Sequence, residues 1–350
     1  MRFWRVFDDE AVGVPGKVAA MYAILITANL GAWVWALVAF HRFPVLIGTA
    51  FVAYSFGLRH AFDADHIAAI DNVTRKLMQN GKKPISVGFF FSLGHSSIVV
   101  ALTVTIAALT VTLQERFDAF RVVGGVIGTS ISAFFLLIVA VANILILMSV
   151  YRTFRKVKNG GRLVEQDLDS MLAGGGLLAR IFRPLFGVVR RSWHMYPLGL
   201  LFGLGFDTAT EVGLLGISAS QAAQGLSIWT ILVFPALFTA GMSLLDATDS
   251  VLMLGAYNWA FVKPVRKLYY NMTITAVSVV VALLVGGIEA LGMMVDRLQL
   301  QGGVWDIIGA LNDNFGMIGY VIVAVFIVSW IVSMLVYRLK GYDDVEIASV

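Results

Sequence analysis

The chain contains no cysteine, which excludes disulfides, thiolate metal sites and iron–sulfur clusters together. Charge is scarce as well. Only 14% of the 350 residues are Asp, Glu, Lys or Arg, against about 25% in soluble domains. No segment has the form G-x-x-x-x-G-K-[ST], so coupling to ATP within this chain is not expected. No His-Glu-x-x-His occurs, which removes a membrane metalloprotease, and five histidines are too few for a membrane di-iron oxygenase. The first residues, Met1-Arg2-Phe3-Trp4-Arg5 followed by Asp8, Asp9 and Glu10, lack the apolar core and small-residue cleavage site of a signal peptide. The first apolar span is therefore expected to stay as a helix, and no enzymatic constellation is assigned anywhere.

What the chain has in excess is apolar sequence. Hydrophobic residues make up 59% and the mean hydropathy is +0.83. A membrane crossing needs about 20 apolar residues, and on that basis we expect an all-α polytopic membrane protein, residues 1–350 forming one transmembrane domain. About eight transmembrane helices are expected, near 18–40, 44–70, 85–114, 120–151, 196–217, 227–260, 269–292 and 314–337. The 13 Met and 24 Phe are read as packing and lipid-facing residues.

The basic residues orient the spans. With both termini on the inner side, the segments 1–17, 71–84, 152–195, 261–268 and 338–350 carry 21 of the 26 Lys and Arg, the asymmetry of the positive-inside rule. The net charge of +4 thus reflects topology and contact with anionic lipid, and no nucleic-acid surface is expected. The longest inner segment, 152–195, is a basic linker that includes Gly174-Gly175-Gly176. Its Leu177–Val189 part reads equally as an interfacial helix or as a solvated connector. Gly124-Gly125-x-x-Gly128 and Gly199-x-x-x-Gly203 suit close helix–helix approach, or equally irregular backbone near a site.

Against this apolar background one segment stands apart: Arg59-His60-Ala61-Phe62-Asp63-Ala64-Asp65-His66, in the second span. Ionisable groups in hydrocarbon are costly, so a cluster of them is a site by default. Mixed imidazole and carboxylate donors point to a divalent transition metal, whereas oxygen-only sites favour Mg or Ca. Further polar groups stand on three other spans: His95 in the third, Asp207 and Glu211 in the fifth, Asp246 and Asp249 in the sixth. At about 1.5 Å per residue all of them fall within one central slab, so they are expected to line one pathway. His60, Asp63, Asp65, His66, His95, Asp207, Glu211, Asp246 and Asp249 are the candidate metal ligands.

On a regular helix His60, Asp63, His66 and Arg59 share a stripe, while Asp65 points away from it. Either the helix is locally irregular, or Asp65 serves another helix. Arg59 cannot bind a cation and reads as an ion-pair partner of Asp63, four residues on. Asp71 reads as interfacial, and His41 and His194 as loop residues facing solvent. Asn29 in the first span is either an interhelical hydrogen bond or support for a site histidine. Gly57-Leu58 through Phe62-Asp63 and Gly203-Leu204 through Phe206-Asp207 look alike on antiparallel spans, which leaves open an inverted internal repeat.

These residues carry a family resemblance. Arg59 to Ile67 resembles the second-helix signature of the NiCoT nickel/cobalt permeases, centred on His, four residues, Asp-His. Leu93-Gly94-His95-Ser96-Ser97, Leu204 to Glu211, and Gly241-Met242-Ser243-Leu244-Leu245-Asp246-Ala247-Thr248-Asp249 resemble its other three signatures, in the same order along the chain. Ala247 departs from the threonine more usual there. The resemblance implies high-affinity uptake of Ni²⁺, Co²⁺ or both across a bacterial cytoplasmic membrane, the ion being cargo and no other cofactor being needed. It implies that His60, Asp65 and His66 are essential, with Asn29 as a partner of a span-two histidine, Met242 in a supporting position, and Phe62 the broader-specificity choice. Sequence chemistry by itself sets no direction, so efflux of the same ions by the same fold stays the alternative.

Overall fold

The computed structural model describes residues 6–108, 114–158, 189–204, 209–260 and 264–339. Among them every regular element is helical, one of the two ways, with the closed β-barrel, in which a backbone satisfies its own polar groups in hydrocarbon. In chain order these are α1 Val14–Phe40, α2 Pro44–His60, α3 Ala64–Gln79, α4 Val87–Ala108, α5 Gln114–Lys158, α6 Met195–Phe202, α7 Ala209–Ala223, α8 Val233–Ala260, α9 Pro264–Leu298, α10 Val304–Asp313 and α11 Phe315–Leu339. A one-turn helix, Ile228–Ile231, leads into α8; its first orphan N–H groups are capped by the Ser227 hydroxyl, which accepts from the Thr230 amide. Five helices among the described residues are long and apolar enough to cross a membrane, or six when α2 and α3 are taken as one bent span. The chain is a multi-pass membrane protein. The fourth and fifth expected spans correspond to α5 and to the interrupted pair α6 and α7.

Two expectations change. The second span was expected to run unbroken over 44–70, but it bends by 50° between α2 and α3 and continues to Gln79. The amides of Phe62 and Asp63 bond back three residues, to the Arg59 and His60 carbonyls, which tightens the end of α2 into a 3₁₀ turn. Asp63 is then extended, at φ −64° and ψ 143°, and α3 restarts at Ala64. In span five α6 likewise ends at Phe202, with Gly203 at its C-cap. Polar sequence also misleads at the inner end of span two. The charges in 71–79 suggest an exit from the membrane, yet thirteen of the sixteen residues of α3 are buried. The helix is sheathed on all sides by protein, packing on α8, α11, α9, α4 and α5, so its polar groups find partners there rather than water.

Helix α8 holds the centre, packing on α1, α2, α3, α4 and α7. Its crossing with α2 requires glycine. A Cβ on Gly57 would stand 2.1 Å from the Phe238 carbonyl oxygen, and any side chain there would push the helices apart. The α4–α6 crossing works alike: a Cβ on Gly199 would lie 2.1 Å from the Phe91 carbonyl, and one on Gly94 2.0 Å from that of Tyr196. Of the two small-residue stretches, Gly199 and Gly203 therefore serve close approach, while the surroundings of Gly124, Gly125 and Gly128 fall outside the described residues. The α1–α2–α8 core is filled by Phe40, Phe234, Phe238 and Met242. On α11, Met317, Val321, Val325, Val328, Val332 and Leu335 form an exposed apolar stripe, three or four residues apart as a lipid-facing helix demands.

Three of the five segments assigned to one side, 1–17, 71–84 and 152–195, meet among the described residues. Asp9 accepts from the Ser192 amide at 3.0 Å and from the Ser192 hydroxyl. The Lys83 amide bonds the Asp9 carbonyl at 2.9 Å, and the side chains of Lys82 and Lys83 reach the Arg190 carbonyl and Asn258. Most of the 152–195 linker, including Gly174-Gly175-Gly176 and all but the last residue of Leu177–Val189, lies outside the described residues. The amphipathic α10, at the opposite end between α9 and α11, was not expected.

Candidate metal-ion site

The break in span two creates the site. In a continuous helix His60 and His66 would stand about 9 Å apart along the axis. With the chain turned at residues 61–63, the two rings meet edge to face at 4.6 Å between centroids. His95 from α4 completes the group, its ring 4.7 Å from that of His60 and 4.9 Å from that of His66. One nitrogen from each of the three lies within 4.8 Å of the others. All three rings are buried, walled by Phe91 on one side and Phe238 on another.

The polar atoms point inward on one spot. His60 Nε2 and His95 Nε2 are 2.9 Å apart, and Glu211 Oε1 stands 2.8 Å from the latter and 3.8 Å from the former. A point equidistant from these three atoms lies about 1.9 Å from each, and metal–nitrogen and metal–oxygen bonds run about 2.0–2.2 Å. An ion seated slightly out of that plane would thus touch all three without rearrangement. His66 Nε2 is buried with no hydrogen-bond partner, a condition that costs free energy unless a ligand relieves it.

The far nitrogens are held by other groups. His60 Nδ1 donates to Asp63 Oδ2 at 2.7 Å, and the Thr210 hydroxyl approaches the same nitrogen at 3.2 Å. His66 Nδ1 faces the Asp246 carboxylate at 3.2 and 3.4 Å. In each case an Nδ1–H donor leaves Nε2 unprotonated, the arrangement by which carboxylates orient metal-binding imidazoles and raise their basicity. Asp63 and Asp246, expected as ligands, therefore sit behind histidines. Asp63 also caps α3 without a side-chain bond to its amides, because that carboxylate is engaged with His60.

The remaining expected residues divide. Asp65, in the first turn of α3, and Asp249, three residues after Asp246 on α8, each keep a buried carboxylate oxygen without a partner, and both lie within electrostatic reach of Asp246. The broken helix answers the question of the Asp65 facing, since the stripe expected on a regular helix does not apply. Asp207 lies outside the described residues. Asn29 touches no histidine: it donates to the carbonyls of Leu25 and Ala240 at 2.8 and 3.1 Å and accepts from Tyr54 at 3.0 Å. It pins α1 and α2 to α8 immediately before Gly241 and Met242, the interhelical alternative of the two considered. Arg59 is exposed and forms no ion pair with Asp63 among the described residues, since Asp63 has turned to His60. Phe62 stacks on Tyr320 at 4.7 Å, and Met242 is fully buried in the α1–α2–α8 core. His41 is exposed and His194 half-buried, accepting from the Arg190 amide. Asp71, expected at the interface, is instead fully buried. Thr210 is a site residue that sequence reasoning misses; it stands inside one of the signatures, but only its charged neighbour Glu211 is conspicuous there.

Comparison with known proteins adds an independent observation. The profile of the NicO family, described as high-affinity nickel-transport protein, matches residues 46–336. A high-affinity nickel transport protein of Cupriavidus necator is 62% identical over 97% of each chain. A nickel transporter NixA of Staphylococcus aureus is 45% identical over 90% of this chain and 93% of its own. A cobalt transport protein NhlF of Rhodococcus rhodochrous is 42% identical over 84% of each. No solved structure matches the chain significantly.

Proposed function

This chain belongs to the NicO family of high-affinity nickel-transport proteins, and from that premise we propose that it takes up Ni²⁺, and Co²⁺ by the same route, across a bacterial cytoplasmic membrane with both termini inside. The observation that carries the reading is the meeting of His60, His95 and Glu211 around one point about 1.9 Å from each ligand atom, close to a metal–ligand bond length. His66, with its free buried Nε2, is the fourth ligand. Imidazole donors select nickel, cobalt and related ions over magnesium and calcium. Asp63 and Asp246 orient the rings, while Asp65 and Asp249, each with a buried carboxylate oxygen that has no partner, supply compensating charge.

Uptake follows from the driving force. An inside-negative potential of 100 mV is worth about 2.3 kcal/mol per charge, hence about 4.6 kcal/mol for a dication. That corresponds to about three decades of accumulation, with no nucleotide-binding motif required. The orientation rests on the distribution of basic residues, 21 of the 26 Lys and Arg falling in the five segments read as internal. Efflux would have to run against this potential.

The test is accumulation of radiolabelled nickel by cells expressing the protein, with cobalt as competitor. His60→Ala, His66→Ala and Asp65→Ala are expected to abolish accumulation at unchanged protein level. Normal uptake by all three would remove the site assignment, and accelerated loss of preloaded nickel from expressing cells would reverse the direction.

A further inference from the structure

The turn that brings the two imidazoles together is packed against a helix that carries none of the candidate ligands. Helix α11 contains no histidine, aspartate or glutamate, yet its buried Gly319 lies directly against the Phe62 carbonyl. A Cβ at residue 319 would stand 1.4 Å from that oxygen and 3.2 Å from Cδ1 of Ile67, the tightest approach at any described glycine. One residue of α11 thus touches the chain on both sides of the break, in the turn and at the start of α3. Beside it, Tyr320 stacks its ring on that of Phe62, with centroids 4.7 Å apart and planes inclined by 29°. Ile318 and Ile322 join Ala64, Ile67 and Ala68 in one apolar cluster, so α11 is anchored along α3 by packing as well.

What the glycine contact fixes is a single peptide unit. The Phe62 carbonyl and the Asp63 amide belong to one rigid plane and point in opposite directions. The amide donates to the His60 carbonyl at 2.8 Å, while the oxygen bears on Gly319. The plane is therefore held by a hydrogen bond on the His60 side and by close packing on the α11 side. Asp63, which follows it, carries the carboxylate that accepts from His60 Nδ1 at 2.7 Å, and His66 stands three residues further on. Ordinary contact at a Cβ begins near 3.4 Å, so a methyl at residue 319 demands about 2 Å of movement between α11 and the turn. Metal–ligand distances tolerate about 0.2 Å. A tenth of that movement, passed on to either imidazole, takes the site out of register.

We propose that Gly319 and Tyr320 are positioning residues for the metal site, holding the 61–63 turn from outside and so setting the separation of His60 and His66. The proposal rests on the reading of the three histidines as a metal site. The test is equilibrium binding of nickel to the purified protein in detergent, with the ligand-field absorption of bound Co²⁺ reporting coordination geometry. Gly319→Ala should weaken nickel binding by roughly 10–100-fold, as loss of a group that orients a ligand does. Tyr320→Leu should weaken it by about two- to tenfold, the range an aromatic pair is worth, and shift the cobalt absorption. Tyr320→Phe keeps the stack and should restore both. Tyr320 is 46% exposed, so replacing it leaves the core filled and the test stands even where Gly319→Ala fails to fold. A lower thermal midpoint in Gly319→Ala and Tyr320→Leu, with nickel affinity and cobalt absorption at wild-type values, would mean that α11 serves only the stability of the bundle and overturns the positioning role alone. Wild-type protein that binds no nickel would overturn the metal site and this proposal with it.

Discussion

Replacing Asp246 with asparagine tests whether this carboxylate binds the ion or orients the ring that does. Its only described histidine contact is with His66 Nδ1, at 3.2 and 3.4 Å from its two oxygens, and the three-atom triangle of His60, His95 and Glu211 does not include it. The amide oxygen of the substituted side chain could still accept a hydrogen bond from the ring but would no longer support its basicity with a charge. A hydrogen bond to a charged group is worth about 1.5–3 kcal/mol, and removal of such an orienting partner typically weakens metal binding by about 10–100-fold. Asp63→Asn should cost less, because the Thr210 hydroxyl already stands 3.2 Å from the same His60 nitrogen and can retain the ring. The expected order of nickel affinity in equilibrium binding to the purified protein is therefore wild type, then Asp63→Asn, then Asp246→Asn, with His60→Ala and His66→Ala weakest. If Asp246→Asn binds as tightly as wild type, the orienting role is wrong. If it binds no better than the histidine variants, Asp246 is a direct ligand.

Two further substitutions probe the frame. Gly57→Ala would place a methyl 2.1 Å from the Phe238 carbonyl, and overpacking of this kind costs about 1–3 kcal/mol; a lower thermal midpoint in detergent is expected, and an unchanged one would mean that α2 and α8 do not cross as closely as described. Asn29→Leu removes the bonds to Ala240 and Tyr54, a loss of about 0.6–2 kcal/mol for an interhelical contact in a membrane. It should lower the melting temperature while nickel affinity stays within about threefold, and a larger affinity loss would tie Asn29 to the histidines after all.

Reading the residues in order picks out much of the candidate site and little of its geometry. His60, His66, His95 and Glu211 are legible because each is an ionisable group in a run where such groups are costly, and their depths agree once the spans are oriented. The division of labour between Glu211, facing the shared point, and Asp63 and Asp246, behind the rings, is not legible, since side-chain direction depends on a helix break that periodicity assumes away. Asp71 and Arg75 fail in the other direction. Their charges look like the edge of the membrane because hydropathy cannot distinguish a helix leaving the bilayer from one wrapped by five neighbours.

What the amino-acid order determines without help is the solvent each stretch can tolerate: long apolar runs must lie in lipid, basic loops must stay on one side, and the histidines must be bound to something. Which atoms meet is settled by the folded bundle. The turn at residues 61–63 brings two imidazoles six positions apart to within 4.6 Å, and glycines at the crossings let α2 and α8, and α4 and α6, approach closely enough for His95 and Glu211 to join them. Such convergence arises from contacts between residues far apart in the chain, and these exist only when every helix is in place.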